Sequence, residues 1–94
     1  MIAKMQRSMP TAQAPIDWND ISILLALARA GAMRKASLRL GVNTSTISRR
    51  VAAAEARLQT RLFIRGPAGY KPTDAGRIFL DQAERIERSM YSTQ

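Results

Sequence analysis

Only Gly41-Val42-Asn43 separates two stretches that both carry apolar residues at helical spacing. Before it, Met33, Ala36 and Leu40 recur three or four positions apart; after it, Ile47, Val51, Ala54 and Leu58 do the same. Gly41 gives the backbone freedom for a sharp turn, and Asn43 is a suitable N-cap for the helix that follows. Two helices joined by so short a glycine-containing turn cannot continue along one line. They form a helix-turn-helix, and the rest of the chain must supply the core that two short helices lack.

The flanking segments read accordingly. A first helix starts at Asp17, which caps free backbone N–H groups, with Asp20 in its first turn. Trp18, Ile21, Leu24, Leu25 and Ala28 recur at helical spacing, Ile23 and Leu27 widen the apolar face, and Gly31 ends the helix. After Leu58, the run Leu62-Phe63-Ile64 suits a strand, Pro67-Ala68-Gly69 a turn, and Tyr70-Lys71 a returning strand. Thr73 caps a last helix with Asp74 in its first turn. That helix reaches about Met90 and places Ile78, Phe79, Ala83, Ile86 and Met90 on one side. The pattern predicts a mainly α winged helix-turn-helix with a two-stranded wing and a long C-terminal linker helix. Residues 1–15 form a flexible arm, 16–72 the winged domain, and 73–94 the linker helix and tail. The arm carries Lys4 and Arg7, too few cations to favour phosphate contact over a simple extension.

Composition then narrows the function. The formal net charge is +8, from 15 Lys and Arg against 7 Asp and Glu, which favours a polyanionic partner: nucleic acid or an anionic membrane surface. The excess is local. Residues 41–65 carry five positive charges and one negative, whereas residues 66–94 carry four of each. A neutral last helix with an apolar stripe suits protein contact, and the basic third helix, whose outer face is small, lacks the strongly apolar side of a membrane-surface helix. No apolar run is long enough to span a bilayer. The chain has no Cys and no His, which excludes disulfides, a zinc site built on those ligands and a His-dependent triad, and fits a reducing cytoplasm. No cofactor or metal is expected.

The third helix carries the chemistry. Opposite its apolar stripe lie Ser45, Ser48, Arg49, Ala52 and Ala56. Small side chains let a helix backbone approach the floor of a DNA major groove, and Arg49 can give two hydrogen bonds to a guanine edge. Thr44 and Ser45 can reach bases or phosphates from the helix N-terminus, which itself favours an anion. The plainer alternatives are a solvated face for Ser45 and Ser48 and surface ion pairs for Arg49 and Arg50, for example Arg50 with Glu55 or another nearby carboxylate. Turn, wing and charge peak together favour DNA contact.

At these residues the chain resembles the N-terminal domain of LysR-type transcriptional regulators over residues 17–88. The likeness rests on Ala36, Leu40-Gly41-Val42, Ser48-Arg49, Glu55, Leu62-Phe63 with Arg65, and Gly69 followed by Thr73, Ala75 and Gly76. It implies a bacterial, cytoplasmic and nucleoid-associated regulator that binds an interrupted palindrome in double-stranded DNA as a homodimer through the last helix. Thr44, Ser45, Ser48 and Arg49 match positions that reach DNA, and Arg65, Gly69, Tyr70, Lys71 and Thr73 match the wing or its flanks. On that last helix, Ile78, Phe79, Ala83, Ile86 and Met90 are the dimerisation candidates. The chain departs from the pattern at several points. Thr44-Ser45 stands where Gln-Pro is frequent, Ala32 replaces a capping Ser, Ala54 replaces Leu, Gln59 a helix-ending Gly, and Pro72 a Leu. Family members continue into a larger effector-binding domain with no counterpart in these 94 residues, so no small-molecule effector is expected on this chain.

Sequence-specific duplex binding is therefore the leading expectation. A short interaction protein that forms mixed dimers with a full-length relative is the alternative. An enzyme is not expected: there is no phosphate-binding glycine loop, and capping explains Asp17 and Asp20 more simply than catalysis does.

Overall fold

A computed structural model describes residues 17–92, so the N-terminal arm lies outside the described residues. Four helices and one hairpin follow in the order α1 (Trp18–Ala30), α2 (Met33–Leu40), α3 (Thr44–Leu58), β1 (Phe63–Gly66), β2 (Gly69–Pro72) and α4 (Asp74–Ser92). This is a winged helix-turn-helix with a long last helix.

Helix α1 is the centre of the core because its apolar face is too wide for one neighbour. Ile23, Leu24, Leu25 and Leu27 are all buried, and Trp18, Ile21 and Ala28 pack around them. Around α1 close Ala36 from α2, Ile47, Val51 and Ala54 from α3, Leu62 and Phe63 from the start of the hairpin, and Leu80 and Ala83 from α4. The Asp17 carboxylate caps α1 by accepting from the Asp20 N–H at 3.1 Å. Gly31 ends the helix in the left-handed region at φ 76°, its N–H bonded to the Leu27 carbonyl.

The turn between α2 and α3 is closed by α2 itself. Gly41 adopts φ 70°, and the Ser37 carbonyl accepts from both the Gly41 and Val42 N–H groups, at 2.8 and 3.3 Å. The Ser37 hydroxyl donates to the Val42 carbonyl at 2.5 Å. Asn43 occupies the cap position of α3, but its side chain makes no capping bond there, and the turn is held by backbone and by Ser37 instead. Ala32, likewise, caps α2 without a side-chain bond.

Wing and last helix lock onto the body at two points of close backbone approach. The hairpin is antiparallel with Phe63 opposite Pro72, Arg65 opposite Tyr70 and Gly66 opposite Gly69, and Pro67-Ala68 form its turn. The Tyr70 N–H reaches the Gly31 carbonyl at 2.9 Å, and a Cβ on Gly69 would collide with that same carbonyl. A Cβ on Gly76 would collide with the Leu62 carbonyl, which also accepts the Thr73 N–H at 3.0 Å. Thr73 caps α4 as its sequence implied, with Oγ1 accepting from Gly76 N–H at 2.9 Å while donating to the Arg61 carbonyl at 2.6 Å. Farther along, Arg29 pairs with Glu87 at 2.8 Å and Glu84 at 3.5 Å. The hydrogen bond from Arg29 holds the Glu87 carboxyl below its ordinary range and raises the guanidinium.

Three expectations need correction here. Leu58 is 40% exposed, because the last turn of α3 runs past the edge of the domain. Ala83 is buried against its own domain and Phe79 is half-buried there, whereas Ile86 and Met90, on the same helical stripe farther along, are exposed. The first turns of α4 therefore pack on the core, and its later turns are open.

Gln59 ends α3 at φ 56°, a left-handed conformation that glycine adopts without a steric penalty, with the Glu55 carbonyl accepting from Thr60 N–H. Gln59→Gly is expected to stabilise the fold by about 1 kcal/mol, read as a higher urea midpoint at unchanged slope.

Candidate nucleic-acid interface

The outward side of α3 is built as the spacing implied. Ile47, Val51 and Ala54 anchor the helix to the core, so Thr44, Ser45, Ser48, Arg49, Ala52 and Ala56 all face solvent. The N-terminal turn of α3 follows directly on the α2–α3 turn, and Asn43, Thr44 and Ser45 there are exposed. Among the described residues Arg49 makes only a long 3.5 Å contact to the Thr46 hydroxyl.

The wing stands beside this helix because one carboxylate joins them. Glu55 Oε2 accepts from the N–H groups of Leu62 at 2.8 Å and Phe63 at 3.2 Å, and Oε1 faces Arg61 at 3.7 Å. Glu55 lies one turn beyond Ala52, so α3 itself holds the hairpin. Phe63 is buried, Tyr70 meets it edge-on with ring centroids 6.5 Å apart, and the Arg65 guanidinium lies 5.9 Å from the centre of the Tyr70 ring. Arg65 is thereby pinned across the hairpin from Tyr70.

Side chains alternate across a strand pair, and this divides the wing residues. Ser48 of α3 and Arg65 and Tyr70 of the wing line one cleft, with Glu55 and Arg61 in its wall. Lys71 and Thr73 do not reach that cleft. They line a groove on the far side of the hairpin with Ile64 and Arg77, and the Thr73 hydroxyl is already committed to the cap of α4 and the Arg61 carbonyl.

The arginines of the basic segment also divide. Arg50 pairs with Asp20 at 2.6 Å, Arg57 with the same carboxylate at 3.9 Å, and Arg61 with Glu55. Arg50 is thus paired across the domain, not with Glu55 along its own helix. Among the described residues Arg49 and Arg65 have no carboxylate partner. Both are exposed, one on the helix and one on the wing. The sequence reading did not single out Arg34 and Lys35, which are exposed on the first turn of α2. Their signal was present: two adjacent cations at the start of a helix with no acidic residue in its first turn.

Among the described residues no cluster of three or more His, Cys, Asp or Glu side chains is placed to hold a metal ion. None of the described helices is long and apolar enough to cross a membrane.

Helix-turn-helix, exposed small-residue helix face and arginine-bearing wing define the winged helix-turn-helix class. Within it, the chain belongs to the lysR family of bacterial regulatory helix-turn-helix proteins, whose family model matches residues 18–77. It is 37% identical over 79 residues to an uncharacterised HTH-type transcriptional regulator of the ibpB-leuC intergenic region of Azotobacter vinelandii, covering 84% of this chain and 55% of that protein. It is 36% identical over 75 residues to the HTH-type transcriptional regulator YofA of Bacillus velezensis, covering 80% of this chain and 26% of that one. The chain thus spans about half or less of the length of these relatives. Its fold matches the DNA-binding domain of CbnR in a crystal structure of that domain with DNA, at a TM-score of 0.72 and 32% identity, covering 84% of this chain and all of that one.

Replacing Glu55 by Ala strips two backbone N–H groups of their shared acceptor. The expected cost is about 2 kcal/mol in urea unfolding, with earlier hydrogen exchange at Leu62 and Phe63 than in the α1 core.

Proposed function

We propose that this chain binds duplex DNA sequence-specifically, with α3 in the major groove and the hairpin wing beside it. The observation that carries the reading is the exposed face of α3: small residues at 45, 48, 52 and 56 surround Arg49, an arginine without a carboxylate partner among the described residues. Neighbouring cations are neutralised by internal carboxylates; this one is left outward where a base edge would meet it. Thr44 and Ser45 meet bases or phosphates at the helix N-terminus, and Ser48 lies deeper in the groove. Arg65 and Tyr70 track the adjoining backbone, with Lys71 farther out along the wing. Thr73 serves by capping α4 and so fixing the wing's second strand.

A homodimer formed through α4 places two such helices on the halves of an interrupted palindrome. Ile78, Ile86, Met90 and Tyr91 support this, since all four are exposed large side chains on that one helix. The setting is the bacterial cytoplasm, on the nucleoid, and the role is transcription regulation without catalysis. The DNA complex of the CbnR domain supports the docking mode.

Selection of bound sequences from a random duplex pool tests the reading, and is expected to return an interrupted palindrome. Arg49→Ala should weaken binding to the selected site by about 1–3 kcal/mol, measured by fluorescence anisotropy. Binding that does not weaken as salt rises would remove the DNA reading altogether. Ile86→Asp is expected to shift the chain toward monomer in sedimentation equilibrium and to lower affinity for the two-half site more than for one half-site.

A further inference from the structure

Asp20 is the buried charged residue of the described core, at 9% exposure, and no part of the reading above uses it. It sits on α1 and its partners sit on α3: Arg50 Nη1 lies 2.6 Å from one carboxylate oxygen and Arg57 Nη1 3.9 Å from the other. Arg50 and Arg57 are seven residues apart, two helical turns, so one side of α3 sends two arginines back to a single carboxylate. Arg49 is about 100° away around the same helix and stays outside. The Arg50 side chain is 43% exposed, so solvent and any nearby anion can reach it. What keeps its guanidinium inward is the charge of Asp20 on the neighbouring helix.

On the proposed DNA-binding reading, we infer that Asp20 is a positioning residue for DNA recognition: it holds Arg50 against α1 and away from the phosphate backbone. A guanidinium freed at position 50 would find phosphate oxygens in a geometry it binds well, in two parallel hydrogen bonds. Such contact carries no sequence information and strengthens binding to all DNA alike. Asp20 thus limits the indiscriminate part of binding and leaves Arg49 as the arginine of α3 that meets the groove. A carboxylate that only stapled α1 to α3 would affect stability without changing how binding depends on salt.

The 94-residue chain, Asp20→Asn and Arg50→Gln are compared on a short random-sequence duplex across a salt series, with log Kd plotted against log salt. Arg50→Gln is expected to keep the wild-type slope, because the side chain it removes is not on a phosphate. Asp20→Asn is expected to steepen the slope by about 0.9 for each freed arginine that reaches one, and to lower the preference for the selected site over random duplex. A slope flattened by about 0.9 in Arg50→Gln overturns the inference even if Asp20→Asn fails to fold, and so does an unchanged slope in a folded Asp20→Asn. A double-mutant cycle between the two positions in urea, without DNA, reads the latch separately. Coupling is expected there, and strict additivity overturns the latch. Wild-type binding that ignores salt, with coupling intact, would instead locate the failure in the DNA-binding reading.

Discussion

Two consecutive backbone N–H groups, those of Leu62 and Phe63, mark the entry to the hairpin just past the left-handed end of α3. Glu55 accepts from both. A buried backbone donor without a partner costs free energy comparable to a lost hydrogen bond, so the chain must find an acceptor here. Taking it from α3 makes that helix and the wing one body. Phe63 enters the core from this anchored segment, Tyr70 meets Phe63 edge-on, and Arg65 lies over Tyr70. Leu62 passes the constraint on in the other direction, since its carbonyl accepts from Thr73 and rests where Gly76 has no side chain. Wing and linker helix are both registered from the same pair of residues.

Charge is sorted by the same architecture. Composition gives a basic segment but not its orientation. Carboxylates at Asp20 and Glu55 pair with Arg50, Arg57 and Arg61, leaving Arg49 and Arg65 unpaired among the described residues, on the two elements that flank one cleft. Exposed ion pairs contribute little to stability, and Arg61 is largely exposed. Their consequence is spatial: they decide which cations a polyanion would meet first.

Much of this was legible in the sequence because it follows from period and turn chemistry. The stripe Ile47, Val51 and Ala54, the cap at Thr73 and the left-handed Gln59 are local facts, written within a few residues. What stayed hidden depends on distance along the chain or on where an element outruns its neighbours. Arg50 finds its carboxylate 30 residues away on another helix. Leu58 follows the apolar stripe perfectly but extends past the last layer that could cover it. On α4 the helical period groups Phe79 and Ala83 with Ile86 and Met90, yet α1 takes the first two, since its wide apolar face needs a neighbour on that side. Asn43 has the right side chain for a cap, but Ser37 had already closed the turn.

Each of α2, α3 and α4 sets one buried alanine, Ala36, Ala54 and Ala83, among the larger apolar side chains packed around α1. Alanine lets axes approach closely but buries little area, and apolar burial is non-directional. Such a surface resists separation of two helices better than it resists rotation of one about its own axis. Rotation is what a reading helix cannot tolerate, since a turn of 10–20° moves its long side chains off their targets. Directional contacts supply the missing constraint. Arg50 and Glu55 project about 140° apart around α3. One is held by the Asp20 carboxylate of α1 and the other holds the backbone entering β1. Two polar contacts on different sides of the axis add directional constraint to the apolar seam of Ile47, Val51 and Ala54, and so help to hold Ser45, Ser48 and Arg49 outward together.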